Sequence, residues 1–283
     1  MTGITVLYMV QTTLRAVPRQ PGVDTEPVSA LDQLLVLAAG LGAGILTTTV
    51  GVASLLSFPV LVAVGIPPVV ANASNTVGLA PGAVSGSWGY REQLREHPGV
   101  TLAVLVTCAV GAVAGAWLLL SLPPGVFEAV VPYLILFTCL LVGVQPRIAK
   151  WLRARHESRH GVALAERRHM SPATTAFATI TGVYGGYFGA GAGVMMVAVL
   201  GIGTDLELRI VNGLKTLSLM VGNVVAGLIF IVVADPRWDV VVLLAAGSLV
   251  GGYVGARIGR KLPDAVFRWA VVAAGVVAAL LLF

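Results

Sequence analysis

Lys215 stands alone among apolar residues: no other charged residue occurs between Arg209 and Asp235. An ammonium inside a membrane-length apolar segment is a functional-site candidate by default, because an uncompensated charge there is expensive. Around it the sequence places Asn212 and Thr216, spaced so that 212, 215 and 216 share one helical face. Another stretch repeats the spacing with Asn72, Asn75 and Thr76. Amide and hydroxyl groups at these intervals make a polar stripe on an apolar helix, and buried polar groups need partners, water or a ligand. One cation with neutral hydrogen-bonding groups is chemistry for holding a small anion or relaying a proton. The bland alternative for Lys215 is a structural hydrogen bond, or an ammonium that snorkels to the membrane surface.

Two other clusters sit upstream of these stripes. The stretch 182–193 (GVYGGYFGAGAG) is too glycine-dense for an ordinary helix, since each glycine costs about 1 kcal/mol against alanine. Clustered glycines permit an unwound segment that exposes backbone N–H groups, and Gly189 and Gly191 are the candidates to line a ligand. The stretch lacks the Gly-Lys-Ser/Thr ending of a phosphate loop. Its counterpart, 44–51 (GILTTTVG), carries Thr47, Thr48 and Thr49. In a regular helix these hydroxyls bond back to the preceding turn, whereas in a broken one Thr48 and Thr49 face a cavity.

These clusters belong to a sequence written twice. Asn72 and Asn212, Thr76 and Thr216, Leu79 and Leu219, and Gly82 and Gly222 are each 140 residues apart. So are Gly111 and Gly251, Gly115 and Gly255, Ala116 and Ala256, Leu122 and Leu262, Pro123 and Pro263, and Phe127 and Phe267. Upstream, Gly44 and Gly51 match Gly186 and Gly193 after a shift of two. Internal duplication in a membrane protein marks transporters whose halves build one site between them.

The elements that must position these residues are membrane helices. Of 283 residues, 57% are hydrophobic and 11% charged, against about a quarter charged in a soluble domain. Apolar segments near 31–50, 52–66, 68–90, 99–121, 126–145, 172–190, 192–203, 209–234, 239–257 and 265–283 predict an all-α polytopic membrane protein with about 8–10 transmembrane or half-membrane helices. Segments 52–66 and 192–203 are short and occupy matching places, the pattern expected of interrupted helices at a transport site. The predicted organisation is an N-terminal lead-in (1–30), repeat 1 (31–145), a basic cytoplasmic loop (146–171) and repeat 2 (172–283). The loop carries Arg147, Lys150, Arg153, Arg155, Arg159, Arg167 and Arg168, hence its cytoplasmic placement. Residues 121–126 carry no charge, whereas their counterparts include Arg257, Arg260 and Lys261; that asymmetry favours inverted repeats.

Other chemistries find little support. The net charge of +5 is concentrated in a topology-determining loop, so no nucleic-acid partner is expected. Cys108 and Cys139 lie inside apolar segments and predict neither a disulfide framework nor a metal site. The histidines (His97, His156, His160, His169) fall in loops; His156 and His160 are four apart, but solvated residues are the plainer reading. No paired carboxylates or Ser-His-Asp arrangement lies at membrane depth, so neither an enzyme nor a cofactor is expected. The chain Gly247, Gly251, Gly255 and Gly259 predicts a close helix-packing face. Trp88 and Arg91 predict an interfacial anchor.

Residues 58–68 (FPVLVAVGIPP), 71–78 (ANASNTVG), 85–91 (SGSWGYR), 182–189 (GVYGGYFG) and 208–216 (LRIVNGLKT) together resemble the sulfite exporter TauE/SafE family of membrane permeases, over about residues 35–283. The resemblance implies a secondary carrier of small sulfur-containing anions such as sulfite, thiosulfate or organosulfonates, in the cell membrane. The threonines at 47–49 and Ala190-Gly191-Ala192 depart from common family patterns and put the particular anion in question. The expected partners are a small anionic substrate, protons as coupling ion, membrane lipid and a second copy of the chain. A passive anion channel and a non-catalytic membrane subunit of a larger transport complex are the competing readings. The candidate substrate-binding set is Thr48, Thr49, Asn72, Asn75, Thr76, Gly189, Gly191, Asn212, Lys215 and Thr216.

Overall fold

The computed structural model describes residues 29–159, 169–258 and several positions between 269 and 280. Most of the lead-in, His160, Arg167, Arg168, Arg260 and Lys261 therefore lie outside the described residues. The elements are α1 (Ala30–Thr48), α2 (Ala53–Ala63), α3 (Pro68–Gly89), α4 (Arg91–Glu96), α5 (Pro98–Ser121), α6 (Pro124–Arg159), α7 (Pro172–Tyr187), α8 (Ala192–Gly203), α9 (Leu208–Val233) and α10 (Trp238–Ile258). Five stretches are long and apolar enough to cross a membrane: Ala30–Thr48, Pro98–Ser121, Pro124–Leu152, Leu208–Val233 and Trp238–Arg257. The chain is an all-α polytopic membrane protein. Its outer surface, with Leu102, Val110, Trp117, Leu140 and Val242 exposed, is suited to acyl chains rather than water.

Helix starts follow local chemistry. Ser29 accepts from the Asp32 N–H at the head of α1, and Ser171 from the Thr174 N–H at the head of α7. Prolines open α3, α5 and α7, where the missing N–H has no intrahelical partner to lose. One boundary differs from expectation. The basic segment 146–171 does not begin as a loop, because α6 continues through it to Arg159. Its Arg, Lys and Ala residues favour helix, and the charged side chains need only leave the membrane, not the helix.

Helix directions follow from contacts of backbone on backbone. Along α1 and α10, Gly40 meets Leu244, Gly44 meets Ser248 and Thr48 meets Gly255. Both numbers climb together, so the two helices are parallel. Along α3 and α10, Gly78 meets Leu244 and Gly82 meets Ser248, again parallel. Gly111 meets Thr179 and Gly115 meets Val183, so α5 and α7 are parallel too. By contrast α3 and α9 are antiparallel: Val77 lies by Gly227, and Tyr90 by Gly213. Helices α1, α3 and α10 thus run one way and α9 the other, while α5 and α7 run together.

The contacts also show an exchange. Helix α10 packs in the groove of α1 and α3, while α5 packs on α7 and α9. The glycine faces make this possible, since a Cβ at Gly44, Gly115, Gly186 or Gly251 would strike the facing backbone. The contacts of Gly111 (Thr179, Gly182, Val183) reappear 142 residues back as those of Gly247 (Leu37, Gly40, Leu41). Packing therefore pairs Gly111 with Gly247 and Gly115 with Gly251, one helical turn from the pairing that sequence identity suggests.

Candidate functional site

Neither short helix crosses the molecule. Gly203 at the end of α8 packs on Thr174 at the start of α7, so α8 returns the chain toward the face from which α7 set out. Similarly α2 folds back on α1, with Leu56 against Gly42. The two hairpins enter from opposite faces and their breaks touch inside. A Cβ on Gly193 would stand 2.8 Å from Gly51 O, and one on Gly51 3.2 Å from Gly193 Cα and 3.1 Å from Lys215 Cδ. Gly51 also holds φ 86°, and Gly189 and Gly191 hold φ 81°, in the left-handed region that favours glycine.

Broken helices expose carbonyls that must find donors away from water. Here four side chains from other helices supply them. Lys215, 1% exposed, donates from Nζ to Thr48 O (3.1 Å) and Thr49 O (2.7 Å) at the carboxyl end of α1. A cation at a helix carboxyl terminus is also favoured by the helix dipole. Asn72 Nδ2 donates to Tyr187 O (3.0 Å) at the carboxyl end of α7. From α6, Gln145 Nε2 donates to Val50 O (3.2 Å), and Thr138 Oγ1 to Ala190 O (3.0 Å), which Tyr184 Oη also serves at 2.6 Å. The arrangement is reciprocal: α9 caps α1, α3 caps α7, and α6 braces both breaks.

Beside the breaks lies a small cavity of about 20 Å³ among α5, α7, α8 and α9. It exists because side chains are missing. Gly182, Gly185, Gly189 and Gly222 line it, and a Cβ at Gly222 would meet nothing within 4 Å. Its polar wall is Thr181, Ser218 and Asn223; Cys108 and Met196 supply softer surface. Ser218 Oγ donates to Lys215 O (2.7 Å), tying this wall to the turn that carries the lysine.

The candidate residues divide accordingly. Lys215 is interior, which excludes snorkelling in this conformation. Asn72 and Asn75 are buried on α3, with Ser57 Oγ donating to Asn75 Oδ1 at 2.5 Å. Asn72 Oδ1 and Asn75 Nδ2 have no hydrogen-bond partner. Each such buried atom costs about 1–3 kcal/mol, a cost that needs an explanation. Gly189 lines the cavity, whereas a Cβ on Gly191 would point at Thr138 of α6. The threonine hydroxyls bond back to their own helices: Thr48 and Thr49 to Ile45 O, Thr76 to Asn72 O, Thr216 to Asn212 O. Thr48 and Thr216 turn their methyl groups toward Gly86. Asn212 is half-buried one turn before Thr216.

Sequence reasoning missed Thr138, Gln145 and Asn223. A signal existed for each. Thr138 and Gln145 lie seven apart on an apolar helix, two turns along one face. Asn223 lies eleven beyond Asn212, three turns along the α9 stripe. Among the described residues, no group of three or more His, Cys, Asp or Glu could hold a metal ion.

Outside this interior the charges separate by face. The face holding the turn 90–97 and the ends of α6 and α10 carries Arg91, Arg95, Arg147, Lys150, Arg209 and Arg257 alongside Glu92, Glu96, Asp205 and Glu207, an excess of cations. Trp88 is exposed there with Arg91 over its ring at 5.7 Å, and Arg209 pairs with Glu96 at 3.0 Å. The opposite face carries Asp32, Glu128, Asp235 and Asp239, with Arg237 its one cation among the described residues. The Asp239 carboxylate accepts from that guanidinium and raises the Arg237 pKa above its ordinary value.

Opposed broken hairpins, a buried lysine and an interior cavity define a membrane transporter of the interrupted-helix type. The chain belongs to the sulfite exporter TauE/SafE family, whose pattern it matches over residues 36–282. It is 25% identical over 221 residues to a "Probable membrane transporter protein ORF9" of Sinorhizobium sp, covering 76% of this chain and 78% of that one. It is likewise 25% identical over 231 residues to a "Probable membrane transporter protein" of Haemophilus influenzae, covering 81% and 86%. No solved structure matches the chain.

Proposed function

We propose that the chain is a secondary transporter of small sulfur-containing anions, such as sulfite, thiosulfate or organosulfonates, across the plasma membrane. The observation that carries the reading is the meeting of the two breaks at Gly51 and Gly193, with the buried Lys215 alongside. A cation held in an apolar interior attracts anions more strongly than it would in water. The adjoining cavity offers Ser218 and Asn223 as hydrogen-bonding groups and a floor of glycine backbone. In this reading the basic face, with loop 146–171, is cytoplasmic by the positive-inside rule. The two halves are inverted repeats, as the opposed helix directions support, and alternating access is a rocking of one hairpin against the other.

The test is flux into proteoliposomes of purified protein, with sulfite, thiosulfate, methanesulfonate, sulfate and acetate. Saturable flux of the sulfur anions is expected. Flux without saturation would mean a channel, and flux of acetate alone would overturn the substrate class. Ligand-induced thermal stabilisation by the same anions gives an independent ranking, since binding to the folded state raises its stability.

A further inference from the structure

We infer that the transported species is a protonated, O–H-bearing oxyanion (hydrogensulfite rather than sulfite dianion), recognised at the Asn72–Asn75 pair, so that the proton crosses on the substrate. This rests on the transporter reading above and narrows its substrate class.

The pair is polarised by its neighbours. Tyr187 O can only accept, so the amide nitrogen of Asn72 must face it, at 3.0 Å, and Oδ1 is left as an acceptor. Ser57 Oγ lies 2.5 Å from Asn75 Oδ1 and 3.3 Å from Ala53 O; its proton goes to the nearer oxygen, leaving Asn75 Nδ2 as a donor. Neither free atom has a partner, and the residues are 1% and 0% exposed. They stand three residues apart on one face of α3. An unpartnered acceptor and an unpartnered donor on one helix face complement a group bearing both O–H and O⁻. A fully deprotonated oxyanion would meet Asn72 Oδ1 with repulsion, and a sulfonate has no proton to give it.

A polar line joins this pair to the cavity. Ser54 Oγ lies 3.9 Å from where a Cβ on Gly189 would stand, and Gly189 lines the cavity. Ser57 follows one turn later on α2 and bonds Asn75. The pair is closed off in this conformation, so the line describes the route by which a substrate reaches it when the hairpins part.

Among the described residues no carboxylate or histidine is buried. The ionisable groups on the elements around this part of α3 are Tyr187 of α7, Lys215 of α9, Glu128 of α6, and Arg237 and Asp239 at the start of α10; α2 has none. Of these, Lys215 is fully buried and its ammonium is held by Thr48 O and Thr49 O. Sulfite exchanges its second proton in the neutral range. The balance is simple: the monoanion enters with its proton, and on the far side it dissociates to dianion and H⁺ according to the local pH.

The test uses purified full-length protein in proteoliposomes with a trapped pH dye. At constant total sulfite, the inference expects flux to track the monoanion, falling by about tenfold per pH unit once the dianion dominates. Each transported sulfite delivers a proton into an alkaline lumen, and methanesulfonate is carried several-fold more slowly. Asn72→Leu, which removes the free acceptor, should narrow the gap between the two anions. Should that variant fail to fold, the wild-type pH profile and dye signal decide alone. Flux that rises with pH, or equal carriage of methanesulfonate without proton delivery, overturns the inference and leaves the transporter reading intact. No flux of either anion at any pH overturns both.

Discussion

Lys215 has two duties that pull against each other. Its ammonium closes the carboxyl end of α1 through Thr48 and Thr49, and the proposed function gives it an anion to attract. In the proposed function a substrate approaching the lysine would compete with those carbonyls, and binding would loosen the first break. Replacement by Met leaves both carbonyls without this donor, about 1–3 kcal/mol each. Lys215→Met is therefore expected to lower flux at least about tenfold and to lower the melting temperature, while the protein still inserts. Wild-type flux in that variant would remove Lys215 from the mechanism. Gly222 gives the complementary case. Open space faces it, and alanine is the better helix former by about 1 kcal/mol, so Gly222→Ala should keep or raise thermal stability. Because the added methyl enters the cavity, apparent anion affinity should fall. A stability loss would show that the cavity collapses around Gly222 rather than standing open.

Elements divide into those that pack and those that break. The packing face of α10 admits no side chain larger than hydrogen at Gly251, where a Cβ would collide with Leu41 O. Gly251→Leu is expected to cost more than about 4 kcal/mol and to abolish folded protein in detergent, as monitored by size-exclusion chromatography. This face was legible in the sequence because the spacing of small residues is a strong periodic signal. So were the breaks: 52–66 and 192–203 were visibly too short, and their flanking glycines marked where the helices end. What the sequence did not disclose was who satisfies the breaks. The braces Thr138 and Gln145 look ordinary on α6, and their partners, Ala190 O and Val50 O, are backbone atoms far away in the chain. Polar stripes identify side chains that need partners, not the carbonyls that will be those partners. The threonines illustrate the converse. Thr48 and Thr49 carried a signal of polarity, yet a hydroxyl one turn from its own carbonyl is satisfied locally.

On the scale of the molecule, the proposed orientation puts the basic face in the cytoplasm. Gly99 and Gly125 lie on opposite faces, both with open space around them. In intact cells, Gly125→Cys should react with an impermeant maleimide, whereas Gly99→Cys should react only after the membrane is opened; the reverse pattern would invert the topology. Loop charges made an inverted arrangement readable as an expectation, because the positive-inside rule acts on sequence-local features. The exchange of helices was not, since nothing in α10 names α1 and α3 as its neighbours rather than α7 and α9.

That exchange bears on how the protein can be made. Since α10 fills the groove between α1 and α3, residues 30–145 emerge from the ribosome with a glycine-lined groove still empty. Neither portion can finish folding by itself, and early release would leave that groove facing lipid. Two separately expressed fragments, cut between residues 159 and 169, should each be degraded alone and rescue one another when made together. The same wiring is what a swapped antiparallel dimer would retain after gene fusion, each former subunit still lending its partner one helix.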